Sequence, residues 1–358
     1  MSAVTAAVPA TIPQLHRDLT TARLPRWAPA VVAAASIALG SAIGIVFDLA
    51  SHLQWGLIAA LLFVVISYTA SARVEGRRQA KDRLATSVVW VAFVLAVTPL
   101  AALIFYTVQQ GIGVVDGNFL SHSMKGVLSS GPGGGIYHAL IGTLEQVALA
   151  TLIAAPVGLL TAVYLVEYGR GRLAKTVTFF VDVMTGVPSI VAGLFVLSVW
   201  ILGFGFSYSG FAGSLALAIL MMPIVVRSTE EMLKLVPNEL REASYALGVP
   251  RWKTILRIVL PTAVGGITTG VMLAVARITG ETAPVLLLVF GADIINNNPF
   301  VGPQQSLPMY IWQQYALVNN DFGYARAWGA ALVLIAFVMG LNLIARGIAR
   351  WRSPKAGH

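Results

Sequence analysis

The sequence predicts an all-α fold, a polytopic transmembrane helical bundle of about eight spans. Three observations carry that prediction. Hydrophobic residues make up 57% of the 358-residue chain and charged residues only 11%, with a mean hydropathy of +0.79. A soluble domain carries about a quarter charged residues, so this composition lies outside that class. Apolar runs of roughly 20 residues, the length that crosses a bilayer, recur along the chain. Finally, Lys and Arg gather between those runs in a pattern that alternates with them.

Taken in order, the runs lie at about 28–47, 54–70, 85–107, 138–165, 176–202, 211–227, 262–290 and 327–346. The first lacks a cleavage site and reads as an uncleaved anchor. The second is short enough to be a re-entrant or surface helix. Basic residues then set the orientation. Arg17, Arg23 and Arg26 precede the first run, and Arg73, Arg77, Arg78, Lys81 and Arg83 follow the second. Arg170, Arg172 and Lys175 follow the fourth, six more lie between Arg227 and Arg257, and Arg346, Arg350, Arg352 and Lys355 close the chain. Under eight spans all of these fall on one side, which places both termini in the cytoplasm. The net charge of +9 is therefore a topology signal, aided by anionic lipid, and not a nucleic-acid footprint. The absence of cysteine excludes disulfides and thiolate chemistry. Metal-ligand spacing and a nucleophile–base pattern are also missing, so no catalytic residue, metal site or cofactor is expected.

One charged segment interrupts the oily sequence. Asn238 is a suitable helix cap and Gly248 a left-handed stop. Between them Leu240, Ala243, Ser244 and Leu247 share a face. Pro250 suits the first turn of a second, basic helix, predicted to lie on the membrane surface until Pro261 turns the chain into the seventh span. Periodicity alone leaves a simple lipid-anchored linker equally open. The pattern Glu242-Ala243-Ser244, Gly248, Ile258, Leu260-Pro261 resembles the EAA loop of permease subunits in ABC importers, with Ser244 in place of the second Ala. The resemblance implies that these residues form a coupling segment, 228–261, docking into a cytoplasmic ATPase dimer. The chain itself has no G-x-x-x-x-G-K-[ST] phosphate loop, and SGPGGGIY (130–137) reads as a flexible lead into the fourth span.

GGGIYHALIGTL (133–144), TGVPSIVAGLF (185–195) and ARITGETAPVLLL (276–288) look like phosphate-specific import permeases. The Gly280-Glu281-Thr282-Ala283-Pro284 run favours the PstA-type subunit over its PstC-type paralogue. That family resemblance implies a type I importer (MetI-like) core over 84–350, with an added tail and hairpin at 1–83 and a basic tail at 351–358. It also implies a second homologous permease, an extracytoplasmic phosphate-binding protein, an inner-membrane location and a transport rather than enzymatic role. An importer of another oxyanion is the nearest alternative. A proton-coupled secondary transporter relaying through Glu145, Asp182 and Arg277/Glu281 is a more distant one.

Within the membrane, Arg277 and Glu281 stand four apart, as on one face of the seventh helix. A charge at mid-membrane costs roughly 2.5–3.5 kcal/mol and needs a partner or water. Two readings stand side by side: a structural salt bridge, or a translocation-path pair in which Arg277 exchanges Glu281 for substrate oxygens, with Thr282 lending a hydroxyl. Glu145 and Asp182 read as interhelical hydrogen-bond acceptors, and Pro188 and Pro284 as ordinary kinks. In the polar far-side loop 291–325, Met309, Ile311, Trp312 and Tyr315 suggest an interfacial amphipathic piece on a flexible surface.

Overall fold

The computed structural model describes residues 24–317 and 320–352, so Arg17, Arg23, Lys355 and the end of the basic tail lie outside the described residues. The chain divides into two units, Met1–Ile104 and Phe105–His358. Among the described residues seven helices are long and apolar enough to cross a membrane, or eight if one sharply bent pair counts as a span. Among the described residues no strand forms, only a single parallel bridge between Phe290 and Gln304.

In the first unit α1 (Ala28–Val46) and α2 (His52–Val74) form a hairpin. Ala59 lies against Gly40 and the Trp55 indole against Gly44, so bare backbone lets the helices approach. The second run is a 23-residue helix, long and apolar enough to cross a membrane. Hydropathy undercounted it because hydroxyl residues fill its last turns. There Thr69 Oγ1 donates to the Val65 carbonyl at 2.9 Å and satisfies itself within the helix. A tight turn leads to α3 (Arg77–Gly111). At that turn Glu75 accepts hydrogen bonds from Arg83 Nε (2.6 Å) and Nη2 (2.8 Å), from Ser71 Oγ and from the Leu24 amide. The Arg83 guanidinium pulls the Glu75 carboxyl down to about 2, against the upward push of burial, with help from Ser71 and Leu24.

The second unit has short α4 (Gly117–Ser121), then α5 (Tyr137–Val163), which continues as a π-turn through Tyr168. Helices α6 (Gly171–Thr185), α7 (Ser189–Val196, with a π-turn to Gly203) and α8 (Gly210–Lys234) follow. Helix α8 is the axis: 61% of its apolar window is buried, against 22% for α5 and 17% for the last helix. Val225 fills the space over Gly158 where α5 crosses it. One apolar cluster, including Val226, Leu233, Val259 and Ile267, fills the half of the bundle toward the α8 C-terminus. Another, including Ala154, Leu217, Met221 and Ile278, fills the other half.

Two predicted spans are corrected. The run 176–202 is α6 plus α7, bent by 108° at Gly186-Val187-Pro188. The run 262–290 is a helix that begins earlier, at Arg251, and ends at Thr279. Its parts are α10 (Arg251–Thr254), a π-turn (Ile255–Val259) and α11 (Leu260–Thr279). Pro261 therefore does not turn the chain. The wider π-turn before it moves the Arg257 carbonyl away from a ring that cannot accept its hydrogen bond. After Thr279 the chain breaks, makes α12 (Ala283–Leu288), loops back, makes α13 (Leu307–Ala316) and ends in α14 (Asp321–Arg352). The last helix thus runs past the predicted end of the eighth span.

Pro99, Pro156 and Pro223 sit inside unbroken α3, α5 and α8, as ordinary kinks would. Pro188 and Pro284 do not. Each follows a helix capped by a glycine, Gly186 or Gly280, and the two signals together stop the helix.

Candidate functional site

Leu233 and Val236 bury the end of α8, and Pro237 turns the chain into α9 (Asn238–Ala246). Pro237, not Asn238, is the N-cap; Asn238 is the first helical residue and accepts from Arg241 Nη1 at 3.3 Å. The stop is as expected. Gly248 has φ +74°, the Gly248 amide donates to Tyr245 and the Val249 amide to Ser244. This is a Schellman ending, and only glycine holds it without strain. Pro250 then caps the long helix.

Helix α9 has two faces. Arg241 and Ser244 point inward. Arg241 donates to Glu167 Oε1 from Nε (3.1 Å) and Nη2 (2.9 Å), and also to the carbonyls of Leu233 (2.9 Å) and Val236 (2.6 Å). Glu167, at the end of α5, is only 4% exposed, so the charge pair is enclosed and hydrogen-bonded on both sides. Arg251, at the start of α10, donates to the Glu167 carbonyl and lies 5.0 Å from the Tyr168 ring centre. Ser244 is buried and shares a 2.8 Å hydrogen bond with Thr254. The expected single face is therefore split: Ser244 is an internal lock, while Leu240, Ala243 and Leu247 face out. Glu242 is exposed beside them, and Leu247 is 84% exposed. Ile258, Leu260 and Pro261 lie in the shaft of the long helix, beyond the knuckle; Leu260 packs against the apolar cluster around Val259, and Pro261 is exposed.

Nearby, Arg227 on α8 reaches Asp182 on α6 and Glu230 at 2.7 Å, and Lys234 reaches Glu230 at 2.6 Å. Asp182 is thus an interhelical acceptor, as the sequence suggests. Together these contacts join the ends of α5, α6, α8, α9 and α10 into one basic knuckle.

The opposite end is built differently. Residues 304–310 are all buried, so the far-side loop re-enters the bundle instead of lying on it. Met309 is core, whereas Trp312 and Tyr315 are exposed. Gln304 Nε2 donates to Glu145, Gln146 Nε2 donates to Gln304 Oε1 at 2.9 Å, and the Leu307 amide donates to Thr143 Oγ1 at 2.7 Å. Gly142 and Gly210 leave room for this strand of chain. SGPGGGIY is not a free linker either. Arg326, 3% exposed, donates to the carbonyls of Ser129, Gly131 (3.0 Å) and Gly133 (3.0 Å), and to Gln314 Oε1 at 3.0 Å.

Arg277 and Glu281 are not a helical pair. The helix ends between them, and among the described residues no ion pair joins them. Arg277 is exposed in the last turn of α11. Glu281 is half-buried beside a cavity of about 10 Å³ that also touches Thr143, Gln146, Thr279 and Ser306. Thr282 is the N-cap position of α12 and makes no side-chain cap.

Sequence reasoning missed Glu167, Arg241, Thr254, Gln304 and Arg326. An acidic residue ending an apolar run was a usable signal for Glu167, and a lone Arg at the start of the last apolar run for Arg326. Nothing local marked Thr254.

Residues 154–358 match the family described as "Binding-protein-dependent transport system inner membrane component". Phosphate transport system permease protein PstA 1 of Mycobacterium tuberculosis (strain ATCC 25618 / H37Rv) is 52% identical over 271 residues, 75% of this chain and 87% of the relative. PstA of Mycobacterium leprae is 51% identical over 269 residues, 75% of this chain and 88% of the relative. PstA of Pasteurella multocida is 38% identical over 272 residues, 75% and 94% of the two chains. Among solved structures, an inward-facing MetNI methionine ABC transporter chain aligns at TM-score 0.48 and 20% identity, over 62% of this chain and 95% of that chain.

Proposed function

This chain belongs to the family of binding-protein-dependent transport inner-membrane components, on its PstA branch, and we propose that it is the permease half of an ATP-driven inorganic phosphate importer. Its partners are an ATPase dimer, a second homologous permease and an external phosphate-binding protein, and it hydrolyses no ATP itself. Residues 84–350 carry the permease core and 1–83 an appended hairpin, with both termini in the cytoplasm as the Lys and Arg distribution requires.

A single observation carries the coupling role. Helix α9 turns Leu240, Ala243, Leu247 and Glu242 outward while Arg241 and Ser244 fasten it inward. A push on the outer face therefore passes through two fasteners, Glu167 into α5 and Thr254 into the helix Arg251–Thr279. Ile258, Leu260 and Pro261 belong to that shaft and transmit rather than dock. Movement of the shaft shifts its far end, where Arg277 and the Gly280–Thr282 break lie. An exposed guanidinium that has no ion pair among the described residues is expensive in lipid, which favours a water-filled path or the second permease as its surroundings. Arg277, Glu281 and Thr282 are accordingly assigned to the translocation path, but as separate groups and not as a self-neutralising pair. Alternating access is a population shift between two bundle arrangements, biased by ATP on the partner.

The test uses the complete transporter. Leu247→Asp places a charge on the outer face without touching either fastener. The expected result is about a tenfold loss of ATPase co-purification and of phosphate-stimulated ATP turnover, with the second permease still bound. Unchanged ATPase attachment overturns the coupling assignment.

A further inference from the structure

The first unit holds a feature that phosphate transport does not use. A groove of about 290 Å³ opens between α1, α2 and the start of α3, with walls that include Val32, Phe63 and Trp90. Three hydroxyl residues, Ser67, Thr86 and Ser87, also line it, and Arg83 stands at one end. Ser87 is only 6% exposed. Arg83 spends Nε and Nη2 on Glu75, which leaves Nη1 without a partner among the described residues.

Two measures define what fits. From Phe63 to Ala70 the groove follows about two turns of α2, roughly 10 Å at 1.5 Å per residue. Arg83 is the basic residue in its lining, and the turn between α2 and α3 just before it carries Arg73, Arg77, Arg78 and Lys81, all exposed, against Glu75 (already neutralised) and Asp82. An oily slot with an unoccupied guanidinium nitrogen at one end and a basic turn beyond it is complementary to a lipid with an anionic head.

We propose that this groove binds one anionic phospholipid of the cytoplasmic leaflet, its headgroup phosphate on Arg83 and the basic turn beyond it and one acyl chain along Val32, Phe63 and Trp90. The appended hairpin is thereby a lipid-reading module. This rests on the charge-derived orientation, but not on phosphate being the transported substrate.

The experiment is native mass spectrometry of the full-length chain purified in mild detergent and offered equal phosphatidylglycerol and phosphatidylcholine. One retained phosphatidylglycerol per chain is expected, with a preference of about fivefold or more over phosphatidylcholine. Ser67→Trp, which fills the groove, should cut retention about tenfold, and Val32→Trp gives the same test from α1 if the first variant fails to fold. Millimolar inorganic phosphate should not displace the lipid. Equal retention of the two lipids, undiminished retention in the filled variants, or displacement by free phosphate each overturns the proposal. So does lipid binding that appears only after removal of residues 1–23, because the groove would then belong to the chain's own N-terminal segment.

Discussion

The two ends of the second unit solve the same problem in opposite ways. Each buries an arginine where the chain leaves its helices. At the knuckle, Arg241 meets a buried carboxylate, Glu167, and the two helix-end carbonyls of Leu233 and Val236. At the far end Arg326 meets only neutral acceptors, the carbonyls of the glycine-rich loop and the amide of Gln314. An ion pair joins two rigid helices and survives their moving together. A guanidinium ringed by loop carbonyls instead fixes the shape of a loop. Under the proposed coupling role, the difference separates an end suited to transmitting force from one suited to holding a surface in place.

The sharpest way to break that comparison is Glu167→Ala. It strands a buried guanidinium, and removing one partner of a buried pair costs about 3–5 kcal/mol. Unfolding in detergent should show that loss together with detachment of the knuckle's motion from α5, read as uncoupled ATP turnover. Arg326→Leu comes next. It leaves loop carbonyls unpaired but no naked charge, so about 2–3 kcal/mol is expected, with protease cutting within residues 129–135 and coupling intact. A larger loss for Arg326→Leu than for Glu167→Ala reverses the assignment of roles. Gly248→Val forces a β-branched residue into φ +74° and should cost about 1–2 kcal/mol, together with weaker ATPase attachment.

The smallest effect sharpens the comparison from outside it. The first unit uses the knuckle's device again, pairing Glu75 with Arg83 at a helix turn. With its folded carboxyl at about 2 and the ordinary value near 4.5, Glu75 contributes stability that is fully present above about pH 4.5. That contribution fades as pH falls from about 4.5 toward 2. Glu75→Gln should flatten the acid limb of the first unit's unfolding curve; a limb identical to the parent's shows that the pair contributes nothing.

Much of the fold was legible along the chain. The apolar runs and the glycine stop at Gly248 each depend on neighbours within a few residues; Gly248 stops its helix where the sequence predicts, and most runs form helices there, the runs 176–202 and 262–290 being the exceptions. The breaks at 186–188 and 280–284 were partly legible: proline alone proved ambiguous, since Pro99, Pro156 and Pro223 interrupt nothing, and the glycine two to four residues before it was the missing half of the signal. The Arg277/Glu281 pairing failed for the same reason, because four-residue spacing means a shared face only while the helix lasts.

By itself the sequence determined that this is a multi-span helical membrane protein with a knuckle between α8 and the long helix that starts at Arg251, because hydropathy and helix punctuation are local properties. Only the tertiary structure decided which side of α9 faces out and what the buried charges answer to. Arg241 finds Glu167 across 74 residues, and Arg326 finds Ser129 across 197. A buried charge takes whatever acceptors packing brings to it, and packing at those separations leaves no periodic trace in the chain.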